Sequence, residues 1–389
     1  MNLQGLAELR KRLNPDRRNP SLIRGCYCGP DGSVISTFSQ DVFGLTEEDN
    51  EKFMGLFKKV LSGTFGQNLL DVEFPASMIP DSDEFRMMMA LRDSHLKDDD
   101  AMGSLLQRIL TLIPVISNVN TQSVKDMQEA QHYLILLMTD TYDVPYKDGN
   151  GETDADRGNE VFDYILCSIC PVKQTKTALT YLSGEQRFHT ADPVWTVGTP
   201  ELGFLYPAFE ERGTDLYHAL CYGKANGEGQ TELISRVFGV EPNMPAKDQN
   251  ESFSRVLEEA LGEECSLNVI QTMHETVSQR LEEQKADKHA DMLCVTKSDM
   301  RDVLTDCGVS EEKAEAFEQK YTETFGAYAE IPAVNLVTPK KFNVNTANVS
   351  IKVDPEHTSL IETRIIDGRM YILVPADGDI EVNGVRVMS

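Results

Sequence analysis

Apolar residues recur along the chain at two spacings, which predict where helices and strands lie. The leucines at positions 3, 6, 9 and 13 form one face of a short helix, which ends at Asn14-Pro15. Two strand-like runs, Ile23–Tyr27 and Val34–Phe38, flank the turn sequence Pro30-Asp31-Gly32. The first forty residues are therefore predicted to form a helix followed by a β-hairpin.

The next eighty residues are predicted to be mainly helical. Thr46 is predicted to be the N-cap of a helix, and Ser62-Gly63 is predicted to end that helix. Alternating apolar and polar residues predict a strand at Leu69–Phe74. Two more helices are expected, near 82–95 and 99–113, and Pro114 is expected to end the second of them.

The strongest strand signal lies at 132–172. Tyr133–Met138 and Val161–Ile169 are apolar on both faces, which is typical of central strands covered on both sides. The polar segment 148–159 separates them, so the two strands are expected to pair as a long hairpin. Shorter strands are expected at Trp195–Val197, Gly203–Phe209 and Leu216–Tyr222.

The second half of the chain changes character twice. Apolar residues in 229–330 step at helical spacing, whereas 331–389 returns to strand-like patterns with turn signals at Asp367-Gly368 and Asn383-Gly384. We therefore expect an α+β protein with a mixed or antiparallel central sheet and flanking helices. The expected division is an α+β domain at 1–228, a helical segment at 229–330 and a C-terminal β unit at 331–389.

The net charge of the chain disfavours anionic partners. The 389 residues include 63 acidic and 37 basic side chains, for a net charge of −26. Such a charge repels nucleic-acid phosphates and anionic membranes. No apolar run approaches the roughly 20 residues of a membrane helix, and the eight cysteines are too few for a disulfide scaffold. These features predict a cytoplasmic protein without a membrane partner.

Four cysteines are closely spaced in two pairs. Cys167 and Cys170 lie within an apolar strand, where residues three apart point to opposite faces. Cys26 and Cys28 lie two apart on another strand, so the four together offer a zinc site as the less favoured alternative. Buried, reduced thiols without metal are favoured, and no cofactor is expected.

Polar residues give no complete catalytic motif. Residues 148–156 resemble the start of a calcium loop but lack its glycine and glutamate, and His274 begins a zinc-helix motif without the second histidine. Carboxylates near Asp140 suggest a metal-dependent hydrolase as one alternative. The catalytic candidates are Arg92, Asp93, Asp140, Asp143, His189 and Glu201.

One basic segment contrasts with the acidic chain. Residues 1–24 carry six basic and two acidic side chains, so this segment is the predicted contact if nucleic acid binds at all. The two helices predicted around Cys307-Gly308 resemble a helix-turn-helix motif, but the second helix is too acidic to enter the major groove of DNA. The nucleic-acid candidates are Arg10, Lys11, Arg12, Arg17, Arg18 and Arg24.

Five blocks of the sequence are distinctive: SLIRGCY (21–27), MMALRDS (88–94), TDTYDVPYK (139–147), YILCSICPVK (164–173) and PELGFLYPAFEERGTDLYHAL (200–220). They resemble an uncharacterised family of Gram-positive, mostly gut-associated bacteria, domain-of-unknown-function family 4317. The order of elements and the strands at 342–378 are also similar to nucleoid-associated proteins of the NdpA type. The first resemblance implies a bacterial cytosolic protein without an assigned activity, and the second implies contact with the chromosome.

These observations together favour a non-enzymatic protein that binds a macromolecule. The partner is expected to be a protein or, weakly and without sequence preference, nucleic acid at a nucleoid. The metal-dependent hydrolase built on clustered carboxylates is the alternative.

Overall fold

A computed structural model describes residues 3–13, 22–119, 131–145, 159–210, 213–224, 227–286, 292–337, 342–375, 380–382 and 385–387. The chain forms two compact units, Met1–Ala246 and Lys247–Ser389, and each is described by itself. No helix within the described ranges is both long and apolar enough to cross a membrane.

The first unit combines helices with a large sheet. Its described helices are α1 (Leu3–Arg12), α2 (Glu47–Val60), α3 (Asp83–Asp93), α4 (Asp99–Val119) and α5 (Glu228–Leu233), the last followed by a π-helical turn at Ile234–Phe238. Its described strands are β1 (Leu22–Cys28), β2 (Val34–Asp41), β3 (Leu69–Glu73), β4 (His132–Pro145), β5 (Asn159–Gln174), β6 (Ala178–Leu182), β7 (Arg187–Ala191), β8 (Trp195–Val197), β9 (Leu202–Tyr206), β10 (Ala208–Glu210), β11 (Gly213–Asp215) and β12 (His218–Gly223).

Eight of these strands form one antiparallel sheet in the order β2-β1-β4-β5-β9-β12-β3, with β8 paired to the end of β5. The expectation of an α+β fold with an antiparallel central sheet is confirmed. The long hairpin is confirmed too, because β4 and β5 pair from His132 opposite Val172 to Pro145 opposite Asn159. The residues that join these two strands lie outside the described ranges.

Helices cover the sheet on both sides, which explains why its central strands are apolar throughout. One side, called here the α4 face, packs Cys167 and Ile135 against α3, α4 and α5. The other side, the α1 face, packs Leu136 and Leu166 against α1 and α2. Leu6 and Leu9 of the predicted leucine face of α1 lie in that second core. Alternate residues of one strand thus supply two separate cores.

The prediction that Pro114 ends a helix is wrong. Helix α4 continues through Pro114 to Val119. Proline removes one N–H donor and leaves the carbonyl of Leu110 without its usual helical partner. The helix persists because residues on both sides of the proline, Ile113 and Ile116, are buried in the core of the α4 face. Burial of this apolar face outweighs one lost hydrogen bond.

The second unit combines a helical core with small hairpins. Thr296 caps its third helix, where the hydroxyl accepts from the Asp299 N–H and the Asp299 carboxylate accepts from the Thr296 N–H. Its described elements are α6 (Ala246–Leu261), α7 (Leu267–Ala286), β13 (Cys294–Val295), α8 (Lys297–Asp306), α9 (Glu311–Phe325), β14 (Ile331–Pro332), α10 (Ala333–Leu336), β15 (Phe342–Asn345), β16 (Ser350–Val353), β17 (Glu362–Ile366), β18 (Arg369–Leu373), β19 (Ile380–Val382) and β20 (Val385–Val387).

The turn predicted at Asp367-Gly368 is confirmed, since it joins β17 to β18 and both of its residues have positive φ. Strands β19 and β20 also pair, although the predicted turn at Asn383-Gly384 lies outside the described residues. The predicted division of the chain at residues 228 and 330 stays a prediction; the two compact units divide the chain once, after Ala246.

Candidate functional site

Strand β2 lies at the outer edge of the large sheet. Within the described part of the chain it pairs with β1 alone, so its other side presents main-chain N–H and C=O groups outward. None of its eight residues is lysine, arginine or proline, which are the residues that usually protect an edge. Val34 at its start is 52% exposed. This edge is chemically able to accept another strand.

A groove runs beside this edge, between β2 and α4, on the α4 face of the sheet. Its volume is about 590 Å³. Val34 and Thr37 line it from the strand, while Leu106, Leu110 and Pro114 line it from the helix. The lining is therefore mainly apolar and lies next to unpaired main-chain groups.

The β1–β2 turn closes one end of the groove because it fits tightly against α4. Gly32 has φ of +80°, which favours glycine. Asp31 fixes the turn, since one of its carboxylate oxygens accepts from the Ser33 hydroxyl at 2.6 Å and from the Ser33 N–H at 3.0 Å. The hydroxyl bond and then the N–H bond hold the pKa of Asp31 below its ordinary value. The Asp31 carboxylate therefore stays charged at neutral pH and continues to accept both hydrogen bonds that fix the turn.

The floor of the groove contains Cys26, whose side chain is fully buried. Burial raises the pKa of this thiol, so it is protonated at neutral pH and behaves as an apolar contact. It is a poor nucleophile for the same reason.

The electrostatic surroundings of the edge are acidic. Asp31 lies in the turn before β2 and Asp41 ends the strand, and no lysine, arginine or histidine lies between them. The one charged side chain in the middle of α4, Arg108, pairs with Glu84 at 2.9 Å. A ligand with positive ends is therefore favoured over an anionic one.

The catalytic candidates named from the sequence are dispersed. Arg92 and Asp93 form an ion pair at the end of α3, with Nη2 2.6 Å from Oδ1. His189 lies on β7. Glu201 accepts from the Tyr133 hydroxyl at 3.2 Å and thus caps a buried tyrosine. Arg92, Asp93 and Glu201 are thus engaged in local contacts, and these contacts do not unite the candidates.

Asp140 lies on the α1 face of β4, where its Oδ2 accepts from the Tyr164 hydroxyl at 3.0 Å and its Oδ1 from the Thr141 N–H at 2.8 Å. Asp143 lies on the same strand, opposite Val161. Both oxygens of Asp140 are thus already engaged by protein donors. The predicted calcium-like segment 148–156 lies outside the described residues. Across the described ranges, no three histidine, cysteine, aspartate or glutamate side chains form a metal-holding group.

The basic residues named as nucleic-acid candidates lie apart as well. The guanidinium of Arg12 lies 3.9 Å over the ring of Tyr142, on the α1 face. Arg24 donates to the Leu96 carbonyl at 2.9 Å and pairs with Asp99 at 2.9 Å. Arg10 and Lys11 lie on α1, whereas Arg17 and Arg18 fall outside the described residues. Nucleic-acid contact through this segment stays a prediction.

The four cysteines do not converge either. Cys26, Cys28 and Cys167 lie in the core of the α4 face. Cys170 lies beside Ser168, with Sγ 3.2 Å from Oγ, and thus on the other side of the strand from Cys167. All eight cysteines of the chain are free thiols.

The groove was not predicted from the sequence. Its two elements are present in the sequence, as a β2 strand without lysine, arginine or proline and as a proline within a helix of apolar periodicity. Neither element shows by itself that the hairpin and α4 lie side by side.

A family model described as a domain of unknown function (DUF4317) matches residues 1–385. No curated protein and no solved structure matches the chain. Because the match covers almost the whole length, both compact units fall within it.

Proposed function

We propose that this chain, which belongs to the DUF4317 family of domains of unknown function, binds an extended segment of a partner protein along the edge of β2. The predicted resemblance to that family is confirmed, whereas the resemblance to NdpA-type proteins stays a prediction. The proposal makes the chain a protein-binding protein rather than an enzyme. We also propose that it acts in the cytoplasm, as its sequence predicts.

The observation that carries the proposal is the apolar groove beside an outward-facing strand edge. A strand added to β2 would lie about 4.8 Å from it and form a ladder of main-chain hydrogen bonds. Alternate side chains of that strand would point to the α4 face, where Val34, Leu106 and Leu110 line the groove. Main-chain pairing supplies affinity, and the groove selects the side chains.

The lining and the charge define the chemistry of the segment. Its residues facing α4 must be apolar and of moderate size, because the groove has about 590 Å³. Its ends are expected to be basic, because Asp31 and Asp41 lie at the two ends of β2 and no cation lies between them. A proline in the middle of the segment would remove a ladder donor.

The test uses a fluorescein-labelled peptide of ten residues, with alternating valine and threonine between paired lysines at each end. Fluorescence anisotropy with the full chain should show saturable binding, and Val34→Lys should weaken it at least tenfold. The matched control is Ile365→Lys on β17, a 71% exposed residue of the second unit, which should leave affinity unchanged.

Two outcomes contradict the proposal. The first is equal affinity of the Val34→Lys chain for the peptide. The second is equal affinity of the native chain for a peptide whose central valine is proline, because a strand ladder requires that N–H.

A further inference from the structure

Three ring-bearing side chains form a row at the end of the large sheet where β4 begins. The hydroxyl oxygen of Tyr27 on β1 lies 2.6 Å from Nδ1 of His132 on β4. The His132 ring stacks on the indole of Trp195 on β8, with ring centroids 4.3 Å apart and 22° between the ring planes. Trp195 is the single tryptophan of the chain. His132 is therefore held between a hydroxyl partner and an aromatic face.

The Tyr27 contact allows His132 to change its charge without losing its hydrogen bond. In the neutral ring with its hydrogen on Nε2, Nδ1 accepts from the Tyr27 hydroxyl, whereas in the protonated ring Nδ1 donates to the hydroxyl oxygen. Burial, and then the nearby Cys28, raise the pKa of Tyr27, so its hydroxyl keeps its proton and serves in both arrangements. The face of Trp195 lies within cation–π distance and favours the positive ring.

The same end of the sheet carries the β1–β2 turn that closes the groove. Cys28, the last residue of β1, lies opposite Tyr133 of β4, so the turn emerges next to His132. The two hydrogen bonds from Ser33 and, after them, the charge of His132 lower the pKa of Asp31. His132 and Asp31 are therefore close enough to interact electrostatically.

The neighbours of His132 limit which groups share its titration. Among the described residues, the titratable side chains that face it are Tyr27 on β1 and Asp31 in the turn. Strand β5 presents Val172, which lies opposite His132, and β8 presents Trp195. Because side chains alternate along a strand, Cys28 and Lys173 point to the α4 face instead. Histidine is the side chain that ordinarily changes charge between about pH 5 and 8.

We infer that His132 is a pH-responsive switch of the proposed peptide site, in which a proton on His132 offsets the negative charge of Asp31 and weakens the binding of a segment with a basic end. The inference rests on the proposed function, in which Asp31 and Asp41 favour basic ends. With His132 neutral, both ends of β2 attract a cation. With His132 protonated, Asp41 alone does so.

The test measures the affinity of the full chain for the lysine-flanked peptide at two pH values. The label is rhodamine, because its emission does not depend on pH in this range. Affinity should fall about threefold between about pH 7.5 and about pH 5.5, as expected for one charge near an exposed partner. Asp31 stays charged at both values because its pKa lies below the ordinary value, so the change belongs to His132.

A second peptide, with paired glutamines in place of the lysines, is the matched control on the native chain. It should bind with the same affinity at both pH values, because it carries no charge for His132 to repel. This comparison needs no variant, so it does not depend on the folding of an altered chain.

His132→Asn tests the residue itself. Asparagine keeps a polar partner near the Tyr27 hydroxyl but gains no charge, so the lysine-flanked peptide should bind equally at both pH values. The control is His95→Asn, which removes a histidine near Asp163, at the other end of the sheet. The positive φ of His95 is one that asparagine tolerates, and this variant should keep the native pH dependence.

Trp195 gives a readout that needs no peptide. A protonated imidazole quenches an indole stacked on it, so the emission of Trp195 should fall between about pH 7.5 and about pH 5.5 in the native chain and stay constant in His132→Asn. Equal pH dependence of the emission in the two chains overturns the inference.

The remaining outcomes separate the inference from the proposed function. Equal affinity of the native chain for the lysine-flanked peptide at both pH values overturns the inference and leaves the proposed function supported. An equal fall for both peptides also overturns the inference, because the loss is then not electrostatic. A chain that binds neither peptide at either pH contradicts the proposed function and the inference together.

Discussion

Gly32 lies so close to the main chain of Leu110 that a Cβ atom at residue 32 would stand 2.4 Å from the Leu110 carbonyl oxygen. This carbonyl is the one that Pro114, four residues later, leaves without a helical N–H partner. The tight turn of the β1–β2 hairpin therefore packs against α4 at the carbonyl whose helical donor is removed by Pro114. Together they set the distance between the edge strand and the helix, and hence the width of the groove.

Gly32→Ala should destabilise the first unit by about 1–3 kcal/mol, because alanine is strained at positive φ and its Cβ meets backbone rather than a flexible side chain. Gly103→Ala is the control on α4, where a Cβ meets open space. It should stabilise the helix by about 0.5–1 kcal/mol. Urea unfolding followed by the fluorescence of Trp195, the single tryptophan, reports on the first unit. Equal stability of the Gly32→Ala chain would show that the turn is not held against α4.

Leu136→Ala and Ile165→Ala should each cost about 2–5 kcal/mol, since both side chains are fully buried between the sheet and its helices. They belong to different cores, Leu136 on the α1 face and Ile165 on the α4 face. Val161→Ala, on the same long hairpin but 58% exposed, should change the free energy of unfolding by less than about 0.5 kcal/mol. Thermal unfolding of the three variants checks the order, and a mild effect at both buried sites would contradict a sheet covered on two sides.

The central strands could be predicted because local sequence and burial agree there. Tyr133–Met138 is apolar at every position, and only a strand with a core on each side accommodates such a run. Thr46 likewise shows its role locally, since its hydroxyl accepts from the Asp49 N–H at 3.1 Å. Pro114 could not be interpreted locally, because the packing that keeps α4 helical comes from distant strands.

The candidate site depends on the same distant contacts. Val34 and Leu110 lie 76 positions apart, and nothing in either segment alone indicates that they line one groove. The catalytic candidates show the opposite case, because Asp140 and Glu201 each accept a hydrogen bond from a tyrosine hydroxyl that is distant in the sequence. Their chemistry was visible in the sequence, but their hydrogen-bond partners were not.

Tyr164→Phe should destabilise the first unit by about 1–3 kcal/mol, because it removes the hydroxyl that donates to buried Asp140. Burial, and then the adjacent Asp140 carboxylate, hold the pKa of Tyr164 well above its ordinary value, so the hydroxyl remains a donor across the accessible pH range. Tyr181→Phe on β6, where the side chain is 51% exposed, is the matched control and should leave stability unchanged. Equal unfolding midpoints for the two variants would show that Asp140 does not depend on this bond.

The buried thiols predict that the first unit loses stability in alkali. Burial is the main cause that raises the pKa of Cys28 and of Cys170 to about 12, against an ordinary value of 9.0. Above pH 9 the unfolded chain releases these protons while the folded chain keeps them, so the folded state binds more protons and stability falls as pH rises. The fall is about 1.4 kcal/mol per pH unit for each thiol, and the full contribution is present below pH 9. Cys170→Ala should therefore flatten the dependence of unfolding free energy on pH between 9 and 11, whereas Ser168→Ala, which removes no titrating group, should shift the curve without changing its slope. Urea titrations followed by Trp195 fluorescence at several pH values measure both slopes, and identical slopes for the native chain and Cys170→Ala would place that thiol in contact with water.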